Sequence, residues 1–177
     1  MSAALIIIDM QNYIVDRINR GVDIYPDNAV HNIGRILNTF RSAGNPVIHI
    51  RHHSLEEGSL LYPTSPLAQV MEGFEEEQGE PVLIKNRSSA FSSTDLFSYL
   101  KKHQFEECIV VGAVAGFCVN STVRAGADLG LTMRVVSDAV ISFSLVDANL
   151  NAKTILDVTL ALLGAGFANL ITTKDLV

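Results

Sequence analysis

The sequence lacks an apolar run long enough to cross a membrane. The longest candidate lies around Val158–Gly166 and is interrupted by Thr159 and Gly164, whereas a spanning helix needs about 20 apolar residues. The amino-terminal segment MSAALIIIDM carries no positive charge before its short apolar run, so we expect no signal peptide. Together these absences predict a cytoplasmic protein that does not insert into membranes.

Cysteine and basic residues are both scarce. The two cysteines, Cys108 and Cys118, form no Cys-x-x-Cys motif and no Cys/His pair with metal-ligand spacing, so we expect no structural zinc site. Without a secretory signal they should stay reduced, and Cys108 should pack inside the protein. The net charge of −6 argues against nucleic acid or an anionic membrane as partner, since both attract basic surfaces.

Apolar residues, by contrast, are plentiful. They make up 48% of the 177 residues, and the mean hydropathy is +0.28. Without a membrane span, this predicts strands buried on both faces, as in parallel sheets; a buried oligomer interface is the alternative. No repeat or linker stands out, so we predict a single domain over residues 1–177.

Short β-branched runs alternate with helical patterns along the chain. The predicted strands are Ala4–Asp9, Pro46–Arg51, Pro81–Lys85, Glu107–Ala113, Thr132–Ser137 and Asn169–Thr172. The predicted helices are one capped by Asp27, one capped by Ser93 or Thr94, Phe117–Leu129 and Asn149–Leu163. Such alternation predicts an α/β fold, a parallel sheet with helices on both faces. The segment Glu56–Glu80 is predicted to be a long loop.

Three chemically useful side chains follow strands in this prediction. Asp9 ends the first strand, Lys85 ends the third, and Cys118 follows the small-residue turn after the fourth. Because parallel strands end at one edge of the sheet, these side chains should converge there. Each residue also has an ordinary explanation, as a core cysteine, a loop-capping or metal-binding aspartate, and a surface lysine.

A carboxylate, an amine and a thiol in one place can carry out nucleophilic catalysis. A helix amino terminus and the Lys85 ammonium would both favour the thiolate of Cys118. Asp9 could accept the thiol proton and later deliver it to a leaving amine. Backbone N–H groups of the turn before Cys118 could stabilise a tetrahedral oxyanion.

Three segments of the sequence carry a resemblance to a known family. They are ALIIIDMQNYIV at residues 4–15, IKNRSSAFSSTDL at residues 84–96, and VVGAVAGFCVNSTVRAGADLG at residues 110–130 with VVSDA at residues 135–139. In these segments the chain resembles the isochorismatase-like cysteine hydrolases, which include nicotinamidases and N-carbamoylsarcosine amidohydrolase. The resemblance implies a catalytic triad of Asp9, Lys85 and Cys118. It also implies a three-layer Rossmann-like fold with a six-stranded parallel sheet.

The resemblance implies a reaction as well. The Cys118 thiolate would attack an amide or carbamoyl carbon of a small molecule, release ammonia or an amine, and leave a thioester for water to hydrolyse. A cis peptide between Ala113 and Val114 would aim the N–H groups of Val114 and Cys118 at the oxyanion. Members of the family are commonly dimers or tetramers, so a homodimer or homotetramer is expected. No cofactor is expected.

The sequence departs from the family pattern at two places. Ala115 stands where many members have threonine, so a hydroxyl near the oxyanion turn is missing. The segment HIRHHSLEEGS lacks the Asp-x-His of the nicotinamidase metal site, so no metal is expected. Strand alternation places His49 and Arg51 on one face and His52 on the other.

Five further residues are candidates for substrate binding, each with an ordinary alternative such as core packing, helix capping or surface ion pairing. They are Gln11, Arg51, His53, Phe91 and Asn120. Two other functions stay open: hydrolysis of a vinyl ether, as in true isochorismatases, and a binding module without catalysis. A dinucleotide-binding module is disfavoured, because the first strand is followed by Asp-Met-Gln-Asn rather than a glycine-rich loop.

Overall fold

The computed structural model describes residues 2–177, so Met1 of the predicted 1–177 domain lies outside the described part. A central sheet has helices on both faces. The strands are β1 (Ser2–Ile8), β2 (Ile24–Tyr25), β3 (Val47–His52), β4 (Val82–Lys85), β5 (Phe105–Ala113), β6 (Thr132–Phe143) and β7 (Asn169–Ile171). The helices are α1 (Asn12–Asn19), α2 (Ala29–Ser42), α3 (Leu96–Lys102), α4 (Asn120–Asp128) and α5 (Ala152–Gly164).

The strand order is β2-β6-β5-β1-β3-β4, and β7 also pairs with β6. All six predicted strands are present and parallel to their neighbours. The prediction of six strands was nevertheless one short, because the two-residue β2 adds an antiparallel pairing at the end of β6. A strand of two residues is too short to show a periodic pattern in the sequence.

Strand β1 shows why the apolar runs are continuous. Ala4, Ile6 and Ile8 face the core beneath α3, α4 and α5, while Leu5 and Ile7 face the core beneath α2. All five side chains are at most 1% exposed. Burial of both faces removes the polar alternation of a half-exposed strand, which confirms the α/β prediction.

Several helix boundaries differ from the sequence prediction. Helix α2 begins at Ala29 after Asn28 rather than after an Asp27 cap. Thr94 does accept the Leu96 N–H at the start of α3, at 3.1 Å. The predicted helix Phe117–Leu129 is divided into a π-helical turn at Ala115–Val119 and the helix α4. Helix α5 is capped by Asn151, whose side chain accepts the Thr154 N–H at 2.7 Å.

Gly112 fixes the close approach of β5 to the end of β1. Its φ is +115°, and a Cβ built there would lie 2.2 Å from the carbonyl oxygen of Ile8. Only glycine combines that conformation with that space. This contact holds the turn after β5 against Asp9, which itself adopts a positive φ of 53°.

Within residues 2–177, no helix is both long enough and apolar enough to cross a membrane. The segment between β3 and β4 is irregular, as the prediction for Glu56–Glu80 expected, with one short 3₁₀ turn at Pro66–Ala68. This loop runs back to the start of α1, where Gln11 forms an isolated bridge with Val70. It therefore lies beside the carboxyl edge of the sheet.

Candidate active site

Lys85 brings the predicted site residues together. Its Nζ lies 2.8 Å from Asp9 Oδ2 and 3.1 Å from Cys118 Sγ. Lys85 is the last residue of β4, Asp9 follows β1, and Cys118 follows β5. Because these strands are parallel, their carboxyl ends lie at one edge, and the lysine stem reaches across the end of β3. The Lys85 side chain is fully buried.

His52 completes the surroundings of the lysine. Its Nδ1 lies 2.9 Å from Lys85 Nζ, so the ammonium has one neighbour for each of its three protons. An ammonium has no lone pair, so His52 must accept through Nδ1 and carry its proton on Nε2. Burial lowers the pKa of His52, and the nearby Lys85 charge lowers it further. A neutral imidazole is therefore the form that fits this site.

The sequence leaves the role of His52 open, since the residue could line the pocket or lie in a solvated loop. Strand alternation did place it opposite His49 and Arg51, and the structure agrees. His49 is buried against Glu80, with Nε2 and Oε2 2.8 Å apart, while His52 points to the site. The distance from His52 to the lysine depends on how β3 and β4 pair, with His52 opposite Lys85. That register was the missing information.

The surroundings of the Cys118 thiol disfavour its ionisation. Burial raises its pKa to about 12, and the Asp9 carboxylate raises it too, while the Lys85 ammonium acts in the opposite direction. Burial thus opposes the thiolate, whereas the Lys85 ammonium favours it as the sequence predicts. Cys118 belongs to the π-helical turn before α4 begins at Asn120, and its burial outweighs the lysine.

Asp9 has one carboxylate oxygen available to the thiol. Its Oδ2 is bound to Lys85, whereas Oδ1 is buried and has no hydrogen-bond partner within residues 2–177. Ligand atoms of Asp9, His52 and Cys118 all lie within 4.8 Å of one another. An unsatisfied buried acceptor close to a neutral thiol can take up the thiol proton.

The same three side chains have the donor types of a metal site. The fit is poor, however, because the Lys85 ammonium already lies within 3.1 Å of Asp9, His52 and Cys118. A metal ion in their midst would have to displace a fully buried positive charge or lie close beside it. We therefore derive no chemistry from a metal at this site.

The turn between β5 and Cys118 has an unusual backbone. The Ala113–Val114 peptide is cis. The Val114 carbonyl accepts hydrogen bonds from Phe117 N at 3.0 Å and Val119 N at 3.3 Å. Ala115 is fully buried. The turn thereby packs Val114 beside the thiol.

A cavity of about 150 Å³ opens onto the thiol. Its walls are largely apolar, and one of the lining residues, Leu61, belongs to the long loop after β3. The lining residues are Asp9, Gln11, Tyr13, Ile14, His52, Leu61, Val114 and Cys118. A cavity of this volume suits a small molecule, and the long loop contributes directly to its shape.

Gln11 is the one residue of the five substrate-binding candidates that lines this cavity. Its amide is occupied by backbone groups: Oε1 accepts the His52 N–H at 2.8 Å, and Nε2 donates to the carbonyls of His52 and Ala68 at 3.0 and 2.6 Å. The side chain therefore ties the end of β3 to the long loop. It positions His52 and leaves no free amide group for a substrate.

The other four candidates lie outside the cavity wall. Arg51 is ion-paired with Glu76, and Phe91 packs against the core. Asn120 accepts a hydrogen bond from Arg124 Nε at 3.0 Å. His53 is half-buried at the start of the long loop. Phe91 and Asn120 follow Lys85 and Cys118 closely in sequence, yet neither lines the cavity.

Comparison with known proteins agrees with this architecture. The Isochorismatase domain model matches residues 3–175. The uncharacterized isochorismatase family protein YrdC of Bacillus subtilis (strain 168) is 31% identical over 177 residues, covering 98% of this chain and 94% of YrdC. The N-carbamoylsarcosine amidase of an Arthrobacter species is 32% identical over 115 residues, which cover 55% of this chain and 44% of that protein.

A solved structure shows the same fold. An isochorismatase-family protein from Chromobacterium violaceum ATCC 12472 superposes with a TM-score of 0.91 and 28% identity, covering 98% of this chain and 91% of that one. The family match spans all the strands and helices that build the site. The protein belongs to the isochorismatase family of hydrolases.

Proposed function

We propose that this hydrolase is a cysteine-dependent amidohydrolase, which cleaves a C–N bond of a small amide or carbamoyl compound through a thioester on Cys118. One observation carries the proposal: a fully buried Lys85 ammonium bridges a carboxylate at 2.8 Å and a thiol at 3.1 Å. A nucleophile, a base and an orienting charge within reach of one another are the parts that covalent catalysis needs. The name of the Arthrobacter relative, an amidase, supports the choice of bond.

The first half of the reaction forms the thioester. The thiol proton passes to Asp9 as the sulfur attacks the carbonyl carbon, and a C–S bond forms. The carbonyl oxygen becomes an oxyanion, which we assign to the N–H groups of Val114 and Cys118. Asp9 then returns the proton to the nitrogen, the C–N bond breaks, and ammonia or an amine leaves.

The second half regenerates the thiol. Water attacks the thioester carbon and gives a proton to Asp9, and the C–S bond breaks to release the carboxylic acid. The sulfur leaves as thiolate beside the Lys85 ammonium at 3.1 Å and recovers its proton from Asp9. The sum is an amide and water converted to an acid and an amine, with no oxidant or cofactor consumed.

The resting protonation state supports Asp9 as the base. Burial and the Asp9 carboxylate raise the pKa of Cys118 to about 12, which favours loss of the thiol proton during attack rather than before it. A general base is then required. Lys85 serves the same step, since its positive charge stabilises the sulfur as the sulfur becomes negative.

The experiment measures ammonia release from a panel of small primary amides and carbamoyl compounds, after treatment with a chelator. We expect turnover by the wild type and none by Cys118→Ala. Cys108→Ala is the matched control, since Cys108 is a buried strand residue remote from the cavity. Ammonia release by Cys118→Ala at the wild-type rate would refute the assignment of Cys118 as the nucleophile. Such a result would mean that amide hydrolysis here needs no thiol. Cleavage of a vinyl ether by both proteins, with no ammonia released from any amide, would favour the vinyl ether hydrolase alternative.

A further inference from the structure

A second cavity of about 210 Å³ lies directly beside the first. The two cavities have Tyr13 and Val114 in common. The other walls come from α1, from the turn before Cys118 and from the residues at the end of β6; they are Arg17, Phe117, Phe143, Ser144 and Leu145. This compartment has mostly apolar walls and one cationic side chain. A substrate that extends from Cys118 past Tyr13 and Val114 would enter it.

Arg17 is the charged residue of this compartment. It lies one helical turn after Tyr13 on α1, and its Nη1 donates to the Tyr13 hydroxyl at 2.9 Å. Its guanidinium carbon is 4.6 Å from the ring centroid of Phe143 and 5.5 Å from that of Tyr13. Aromatic faces and a phenol hold the guanidinium in place.

The charge of Arg17 has no acidic partner. Within residues 2–177, no carboxylate lies within ion-pairing distance of it, whereas four other arginines are paired with acidic side chains: Arg20, Arg41, Arg51 and Arg134. In the same part of the chain, Arg35 and Arg87 also have no acidic partner but are exposed, and Arg124 donates to Asn120. The Arg17 Nε is buried without a hydrogen-bond partner. Desolvating a cation and leaving a donor unsatisfied both destabilise the folded protein. An anion in the cavity would offset the uncompensated charge of the guanidinium.

The guanidinium also has a group free to bind. Nη1 is bonded to Tyr13, but Nη2 has no partner among the described residues and is not among their buried unsatisfied atoms. Guanidinium groups bind carboxylates through parallel N–H donors. The apolar walls would accommodate the methylene groups between such a carboxylate and the reacting carbonyl.

We infer that this second cavity is a carboxylate-binding subsite in which Arg17 binds the anion, so that the substrate class is short amides with a carboxylate at the far end. The inference rests on the proposed function for the bond that is cleaved at Cys118. The binding of a carboxylate at Arg17 does not depend on that chemistry, and the two can be tested separately.

Binding is measured first, by titration calorimetry of succinate and glutarate into the wild type and Cys118→Ala. Both proteins should bind at least one of these dicarboxylates. Arg17→Met and Arg17→Gln should weaken binding about 10- to 100-fold, the usual loss for a charge-assisted hydrogen bond. Arg20→Met is the matched control, because Arg20 is an exposed arginine at the end of the same helix. This variant should bind the dicarboxylates with the affinity of the wild type.

Binding of neither dicarboxylate by the wild type would overturn the inference, as would unchanged affinity in a folded Arg17 variant. Melting curves by circular dichroism establish folding, and Arg17→Gln provides the result should Arg17→Met not fold. Hydrolysis of succinamate is then compared with that of its uncharged isostere levulinamide. The wild type should prefer succinamate by about tenfold or more, and Arg17→Gln should lose the preference.

The two proposals fail in different ways. Ammonia release by Cys118→Ala at the wild-type rate would refute the thiol mechanism while dicarboxylate binding still depended on Arg17. Hydrolysis that depends on Cys118 but shows the same preference for succinamate in Arg17→Gln would refute the subsite and leave the thiol mechanism standing.

Discussion

Replacing Lys85 with methionine tests the electrostatic core of the site. The substitution keeps a long side chain of similar volume but removes the charge that lies 2.8 Å from Asp9 Oδ2. Asp9 is only 8% exposed, so its carboxylate would remain buried without a counter-charge. Breaking a buried ion pair from one side costs about 3–5 kcal/mol. For a chain of this size, that corresponds to a fall of about 6–20 °C in melting temperature.

A second substitution separates charge from packing. Asp9→Asn together with Lys85→Met leaves a neutral amide where the uncompensated carboxylate had been. The double variant should therefore melt well above Lys85→Met alone, although both lack the lysine. Lys153→Met is the matched control: Lys153 is ion-paired with Asp157 on the surface, and its loss should leave the melting temperature nearly unchanged.

Thermal melting followed by far-UV circular dichroism measures all four proteins under one set of conditions. Two results would refute the reasoning. The first is a Lys85→Met variant that melts within a degree or two of the wild type. The second is a double variant that gains nothing over Lys85→Met, because the loss would then come from packing and not from an unpaired charge.

Three further predictions concern reactivity, backbone and pH. Iodoacetamide should label Cys118 slowly at about pH 8, because a pKa of about 12 leaves roughly one thiol in ten thousand ionised. Peptide mass mapping measures the labelling rate, and a rate that reaches a plateau near pH 9 would contradict this. Gly112→Ala should lower the free energy of unfolding in denaturant by more than about 3 kcal/mol, because its Cβ would meet the neighbouring strand. Gly130→Ala, which has open space and φ +82°, should lower it by about 1–2 kcal/mol. Equal losses would show that the close approach at Gly112 does not matter. Burial alone would raise the pKa of Glu80, but hydrogen bonds, above all from Arg41, lower it to about 2. The stability that Glu80 contributes is therefore present at pH values above its ordinary pKa of 4.5 and is lost as the pH falls towards 2. In urea unfolding, Glu80→Gln should be less stable than the wild type near neutrality and about equally stable at about pH 2. A difference in stability that persists at about pH 2 would contradict this.

Much of the fold could be predicted from the sequence because its central strands are buried on both faces. Burial on both sides leaves a continuous apolar run, as in Ala4–Ile8, and such runs mark parallel strands. Residues that follow those runs meet at one edge by topology alone. That rule brought Asp9, Lys85 and Cys118 together without any knowledge of side-chain packing.

The remaining features depend on contacts between distant parts of the chain. Arg17 gave no signal in the sequence, because the Phe143 ring beside it comes from the far end of β6. The acidic partner of Arg51 lies 25 residues further along the chain, in the long loop. The raised pKa of Cys118 follows mainly from its burial, which a local sequence pattern does not encode.

The most direct test of the account is to stop the reaction in acid during turnover of an amide substrate and to measure the mass of the peptide that contains Cys118. We expect an adduct equal to the acyl part of the substrate on Cys118, removed by hydroxylamine and absent from Cys118→Ala. Turnover that proceeds with no adduct in the wild type, and at an undiminished rate in Cys118→Ala, would contradict it.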